Sequence, residues 1–98
     1  MIEPLSQEVI GHKLKLLNDN ATEPWGLVDG KLYREFKFPS FVAAFGFMTQ
    51  VAILAERADH HPEWSNIYRK VKIYLITYEA RGISQRDFDL AHEISQIL

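Results

Sequence analysis

The chain has no cysteine among its 98 residues, which excludes disulfides and thiolate chemistry and fits a cytoplasmic protein. It lacks an excess of either charge. Eleven lysines and arginines stand against 13 aspartates and glutamates, and the basic residues are scattered among acids without forming a stripe. Direct nucleic-acid binding is therefore not expected. No apolar run is expected to reach the roughly 20 residues of a membrane span, and Met1-Ile2-Glu3-Pro4 shows no charged-then-apolar export signal, so no membrane partner is expected. Internal repeats, low-complexity tracts and linkers rich in Pro, Gly or Ser are absent too. What remains, with 47% hydrophobic residues, predicts a single domain over residues 1–98, small for burying its own surface unaided.

Local signals divide the chain into alternating elements. Ser6 is placed to cap a helix from about Gln7 to Leu17, with Leu5 and Ile10 as a hydrophobic staple across its start. Asn18-Asp19-Asn20 ends it. An extended run, Pro24 to Val28, leads to Asp29-Gly30, a two-residue hairpin signal, and a return strand from Lys31 to Phe38. On that strand Leu32, Phe36 and Phe38 alternate with Tyr33, Glu35 and Lys37, and Arg34 intrudes on the apolar row. Pro39-Ser40 opens a second helix running to Asp59. A strand from Ser65 to Tyr68 and a longer one from Lys70 to Tyr78 follow. Ser84 and Asp87 then fit a capping box, and Ile83 and Phe88 a staple, for a third helix from Gln85 nearly to Leu98. The order helix-strand-strand-helix-strand-strand-helix predicts an α+β fold with helices packed on one face of an antiparallel sheet.

The second helix is apolar nearly all round for four turns. Phe41, Phe45, Met48, Ala52 and Ala55 make one stripe, while Val42, Phe47, Val51 and Leu54 fall on other sides. One sheet can cover only one face. The remaining apolar surface predicts a homo-oligomer, dimer or tetramer, assembled through the 41–58 helix.

Asp59-His60-His61-Pro62-Glu63-Trp64 carries the chemistry. Histidine is the side chain whose ordinary pKa, roughly 6.5, allows proton transfer in both directions near neutrality, and two in succession offer an acid and a base. Neighbours on a strand point to opposite faces, so both rings can serve one pocket only at a turn or an element end. Pro62 disfavours helical geometry at His61, so the second helix should stop here. A metal site with Asp59 or Glu63 is disfavoured, because His12 and His92 lie on other helices and no H-x-x-x-H spacing occurs. Asp87 is read as a helix cap rather than a catalytic acid. Trp25 reads as a core residue. Trp64 could line a pocket or plug the core.

Taken together, Ala44-Phe45-Gly46-Phe47-Met48, Ala55-Glu56, Asp59-His60-His61-Pro62-Glu63-Trp64-x-Asn66-x-Tyr68-x-Lys70-Val71 and Gly82-x-Ser84-x-x-Asp87 resemble the pterin-4a-carbinolamine dehydratases. The resemblance extends to Trp25 and Phe36-x-Phe38. It implies a four-stranded antiparallel sheet with helices on one side and a tetramer built on the long helix. It also implies an activity, the dehydration of 4a-hydroxytetrahydrobiopterin to quinonoid dihydropterin and water in tetrahydrobiopterin recycling, with the pterin as substrate and no cofactor. His60 and His61 match the family's site histidines, and Glu56 and Asp59 its nearby acids. His61 is expected nearest the departing hydroxyl, and His60 as an orienting or basic group. Thr77-Tyr78-Glu79 matches the strand end that closes the pocket. Tyr78 departs from the pattern, because the family usually has a third histidine there, and a phenol with an ordinary pKa of about 10 is a poor base. Weakened dehydratase activity is the expectation. The alternative, also implied by the family, is a binding or dimerisation partner of another protein, such as a transcription coactivator or assembly factor, using the same helix.

Overall fold

The computed structural model describes residues 2–19 and 23–98; Asn20, the last residue of the expected break after the first helix, lies outside them. Three α-helices, α1 (Gln7–Leu17), α2 (Phe41–Ala58) and α3 (Gln85–Gln96), accompany four strands, β1 (Gly26–Val28), β2 (Lys31–Lys37), β3 (Glu63–Ile67) and β4 (Lys70–Leu75). The strands form one antiparallel sheet in the order β1-β2-β4-β3. This is the α+β arrangement expected from the sequence.

The start and stop signals act as the sequence predicts. Ser6 Oγ accepts from Val9 N at 3.2 Å and opens α1. Asp29 and Gly30 both take positive φ, 52° and 73°, the requirement of a two-residue turn whose twist matches its strands. Ser84 and Asp87 close a reciprocal capping box at α3. Strand ends differ from expectation for identifiable reasons. β1 begins at Gly26, two residues after Pro24, which has no N–H to give a ladder. β3 spans Glu63–Ile67 in place of 65–68, because Tyr68, at φ 53°, belongs to the turn into β4. β4 stops at Leu75, short of Tyr78. Thr77 pairs instead with Gly82 across an isolated bridge, and Tyr78–Ala80 curl into one turn of 3₁₀ helix.

Alternation places Leu32, Phe36, Val71, Ile73 and Leu75 on the covered side of the sheet. α2 lays Ala44, Phe47, Val51 and Ala55 into this core, so of the stripe Phe41, Phe45, Met48, Ala52 and Ala55 only Ala55 is fully buried. α3 packs against both α1 and α2. Trp25 is 2% exposed, and its Nε1 donates to Ser95 Oγ at 3.0 Å. Arg34, the intruder, is buried over the Phe36 ring at 4.6 Å, and its Nε has no partner among the described residues. Burial pushes its guanidinium pKa down.

Contrary to the expectation from the sequence, α2 is by length and composition alone able to cross a membrane, with 18 residues and a mean hydropathy of 1.3. Its packing gives part of that apolarity another use, since one face is spent on the sheet.

Candidate active site

β-register brings the start of β2, the start of β3 and the end of β4 to one end of the sheet, through Leu32 opposite Leu75 and Glu63 opposite Tyr74. The chain leaving α2 arrives at that same end through residues 59–62. Asp59 ends α2 in the left-handed conformation, φ 51°. The Asp59 N–H bonds to Glu56 O at 3.2 Å and the His60 N–H to Ala55 O at 3.0 Å, the paired bonds of a Schellman motif. The helix therefore stops before the histidines, and Pro62 keeps the following backbone extended.

The two histidines part company at this turn. His60 is 8% exposed, and its Nε2 lies 2.5 Å from Asp87 Oδ1. Asp87 Oδ2 accepts from Thr77 Oγ1 at 2.8 Å and from Ser84 N at 2.9 Å. Thr77 and Ser84 hydroxyls lie 2.6 Å apart, and Ser84 Oγ takes the Arg86 N–H at 3.2 Å. One direction of donation satisfies the whole set. Arg86 N–H gives to Ser84, the Ser84 hydroxyl to Thr77, and the Thr77 hydroxyl to Asp87, leaving Oδ1 to accept from His60. His60 Nε2 then carries a hydrogen, and Nδ1 is the ring nitrogen that Asp87 does not engage. The cap reading of Asp87 was right and incomplete, since the same carboxylate anchors His60.

His61 is exposed, with Nε2 2.8 Å from Glu56 Oε1 on the last turn of α2. Asp59 is exposed at the cap, and its carbonyl accepts from Arg86, which also pairs with Glu79 at 3.2 Å. Thr77 is fully buried, and its N–H, carbonyl and hydroxyl are all engaged within the protein. Trp64 packs against the core, and it also lines a recess of about 320 Å3 together with Asp29, Lys31, Glu63, Ser65 and Tyr74. Tyr78 is 61% exposed, and its hydroxyl donates to Glu63, which pairs with Lys31 Nζ at 2.6 Å. That carboxylate holds the Tyr78 pKa above its ordinary value, while Lys31 and the phenol hold Glu63 below the usual carboxylate range. His12 and His92 are exposed on α1 and α3.

The structure thus gathers His60, His61, Glu56, Asp59, Thr77, Tyr78 and Glu79 around one end of the sheet. It adds Asp87, Ser84, Arg86 and Lys31, which the sequence did not place there, and gives Glu63 of the histidine stretch Tyr78 and Lys31 as partners. The capping box was the visible signal for Ser84 and Asp87. Nothing local marks the contact of Asp87 with His60, 27 residues away. A separate recess of about 450 Å3, over Glu23, Pro24, Arg34 and Phe38, belongs to the other end of β2 and shares none of these residues.

An α+β sheet with a buried histidine beside an exposed one is an arrangement suited to proton transfer on a small molecule. The family model described as Pterin 4 alpha carbinolamine dehydratase matches residues 3–97, and the chain belongs to that family. A Rhizorhabdus wittichii protein named "Putative pterin-4-alpha-carbinolamine dehydratase" is 46% identical over 98 residues, covering 98% of this chain and 96% of that one. A Prochlorococcus marinus protein of the same name is 54% identical over 71 residues, 72% of this chain and 74% of its own. The crystal structure of a protein described as a transcriptional coactivator/pterin dehydratase from Brucella melitensis superposes with a TM-score of 0.86 at 37% identity, covering 97% of this chain and 98% of that chain.

Proposed function

We propose that this protein dehydrates 4a-hydroxytetrahydrobiopterin by histidine acid/base catalysis. The observation that carries the reading is the pairing of a fixed, buried His60 with an exposed His61 on one turn. The reaction is redox-neutral. The pterin N5–H bond breaks, C4a=N5 forms, and the C4a–O bond breaks as the hydroxyl takes a proton and leaves as water. His61, exposed at the surface beside Glu56, is the group that protonates the hydroxyl. His60, held through Nε2 by Asp87 with Nδ1 outside that bond, orients the pterin or takes its proton. Asp59, Trp64 and Glu79 bind the ring; Thr77 acts through Asp87, because its own hydrogen-bonding groups are occupied. Residues 1–98 act as one domain in the cytoplasm, assembled as a dimer or tetramer through α2, and serve tetrahydrobiopterin recycling.

Stopped-flow absorbance of freshly generated carbinolamine tests this. Wild-type protein should exceed the spontaneous rate, His61→Ala should lose about 10²-fold or more of the acceleration, the range of a general acid, and Tyr78→His should gain rate. No acceleration by wild type would sink the reading.

A second reading has its own observation. Phe41, Val42, Phe45 and Ile53 are all at least 47% exposed on α2, an apolar face a partner protein could cover. The description of the Brucella melitensis protein as a transcriptional coactivator/pterin dehydratase is consistent with it. A pure scaffold would leave the rate at the spontaneous value.

A further inference from the structure

We infer that Glu63, anchored by Lys31, is a positioning residue for Tyr78: it takes up the phenol's hydrogen so that Tyr78 meets the ligand as a fixed hydrogen-bond acceptor and plays no part in proton transfer. The inference rests on the dehydratase reading for the identity of the ligand.

Three side chains from three elements meet here. Lys31 begins β2, Glu63 begins β3, and Tyr78 sits in the 3₁₀ turn after β4. One oxygen of Glu63 accepts from Lys31 Nζ at 2.6 Å and the other accepts from the Tyr78 hydroxyl. Both partners of the Tyr78–Glu63 bond lead to the histidine turn. Glu63 follows His61 by two residues, and Tyr78 follows Thr77, whose hydroxyl holds the Asp87 carboxylate that holds His60. His60, Glu63, Tyr78, Thr77 and Asp87 therefore lie on a closed ring of covalent and hydrogen bonds, which fixes Tyr78 at the border of the site. Its flank is the recess lined by Asp29, Lys31, Glu63 and Trp64.

A phenol has one hydrogen to give, and here Glu63 has it. What the oxygen has left is acceptor capacity, suited to a ring N–H or amino group of a flat heterocycle. Its bond to a carboxylate also opposes ionisation, consistent with the raised pKa of Tyr78. A histidine at this position could accept and release a proton near neutrality; a phenol tied in this way holds its proton there. The proton transfers consequently fall to His60 and His61.

The test joins a titration that needs no substrate to kinetics that do. Tyrosinate absorbance is followed against pH in wild type, Tyr78→Phe and Glu63→Gln, the step absent from Tyr78→Phe being that of Tyr78. In Glu63→Gln this step should move down toward the ordinary 10.0. With carbinolamine substrate, Tyr78→Phe and Glu63→Gln should each raise KM by about threefold to tenfold, the worth of one hydrogen bond, with kcat little changed. A Tyr78 step that stays in place in Glu63→Gln overturns the inference. So does a collapse of kcat at unchanged KM in Tyr78→Phe, since that would make the phenol a proton-transfer group. Absence of acceleration by wild type would instead overturn the dehydratase reading, and the titration would still decide whether Glu63 governs Tyr78.

Discussion

His60 and Asp87, 27 residues apart in the chain, meet at 2.5 Å in the interior, and the same carboxylate caps α3 and takes the Thr77 hydroxyl. Removing it strands three buried donors at once. Asp87→Ala should cost about 3–5 kcal/mol, the range for breaking a buried ionisable pair, and Asp87→Asn less, since an amide oxygen still accepts from one side. Urea unfolding measures both. A loss under about 1 kcal/mol in Asp87→Ala, no more than an ordinary exposed cap, would show that the network does not anchor the fold.

Local chemistry made most of this fold legible. Ser6, Asp29-Gly30 and the Ser84/Asp87 box each carry their instruction within a few residues, and the elements begin where they say. The strand ends were less legible, because Thr77-Tyr78 reads as continued alternation until the bond of Thr77 to Gly82 turns the chain aside. At the site, the histidine turn stood out by residue type. Apart from Glu56, the partners of that turn did not, since Asp87 and Arg86 reach it from another helix, the first at a side chain and the second at main-chain carbonyls, and only the packed sheet decides which residues share an end.

Asp59 holds α2's end at φ 51°, a conformation that costs residues with a side chain but not glycine. An aspartate here gives up stability that glycine would supply, which accords with a carboxylate kept for binding. Asp59→Gly should raise stability by about 0.5–1 kcal/mol while weakening pterin affinity. Thermal unfolding and substrate KM, measured on one preparation, check the two signs together. Lower stability would mean the carboxylate serves the fold.

The Lys31–Glu63–Tyr78 cluster should leave a signature in stability against pH. Glu63 titrates lower in the folded protein than its ordinary 4.5, so its contribution is present above 4.5 and is lost as pH falls through the depressed value. Lys31 and Tyr78 titrate above their ordinary 10.5 and 10.0, so theirs is present below those values and lost as pH rises through the raised ones. The stability difference between wild type and Glu63→Gln should be flat through neutrality and shrink at both extremes. Denaturation series at low and high salt should show it shrinking with salt as well, because the charges are near the surface. A difference that grew toward acid would have the wrong sign for a depressed carboxylate.

α2 presents the last test. Val42 is 79% exposed and Phe45 55%, on a helix whose opposite face, Ala44, Phe47, Val51 and Ala55, is already buried in the sheet. Apolar side chains left in water on one helix face gain from meeting a copy of themselves, and a two-fold axis lets one face cover both. Wild-type protein should therefore sediment as a multiple of 11.4 kDa, and Val42→Glu or Phe45→Glu should release a folded monomer. The charge falls outside the core, so circular dichroism should be unchanged. A wild-type monomer, or glutamate variants that sediment as wild type does, would assign that face to another partner.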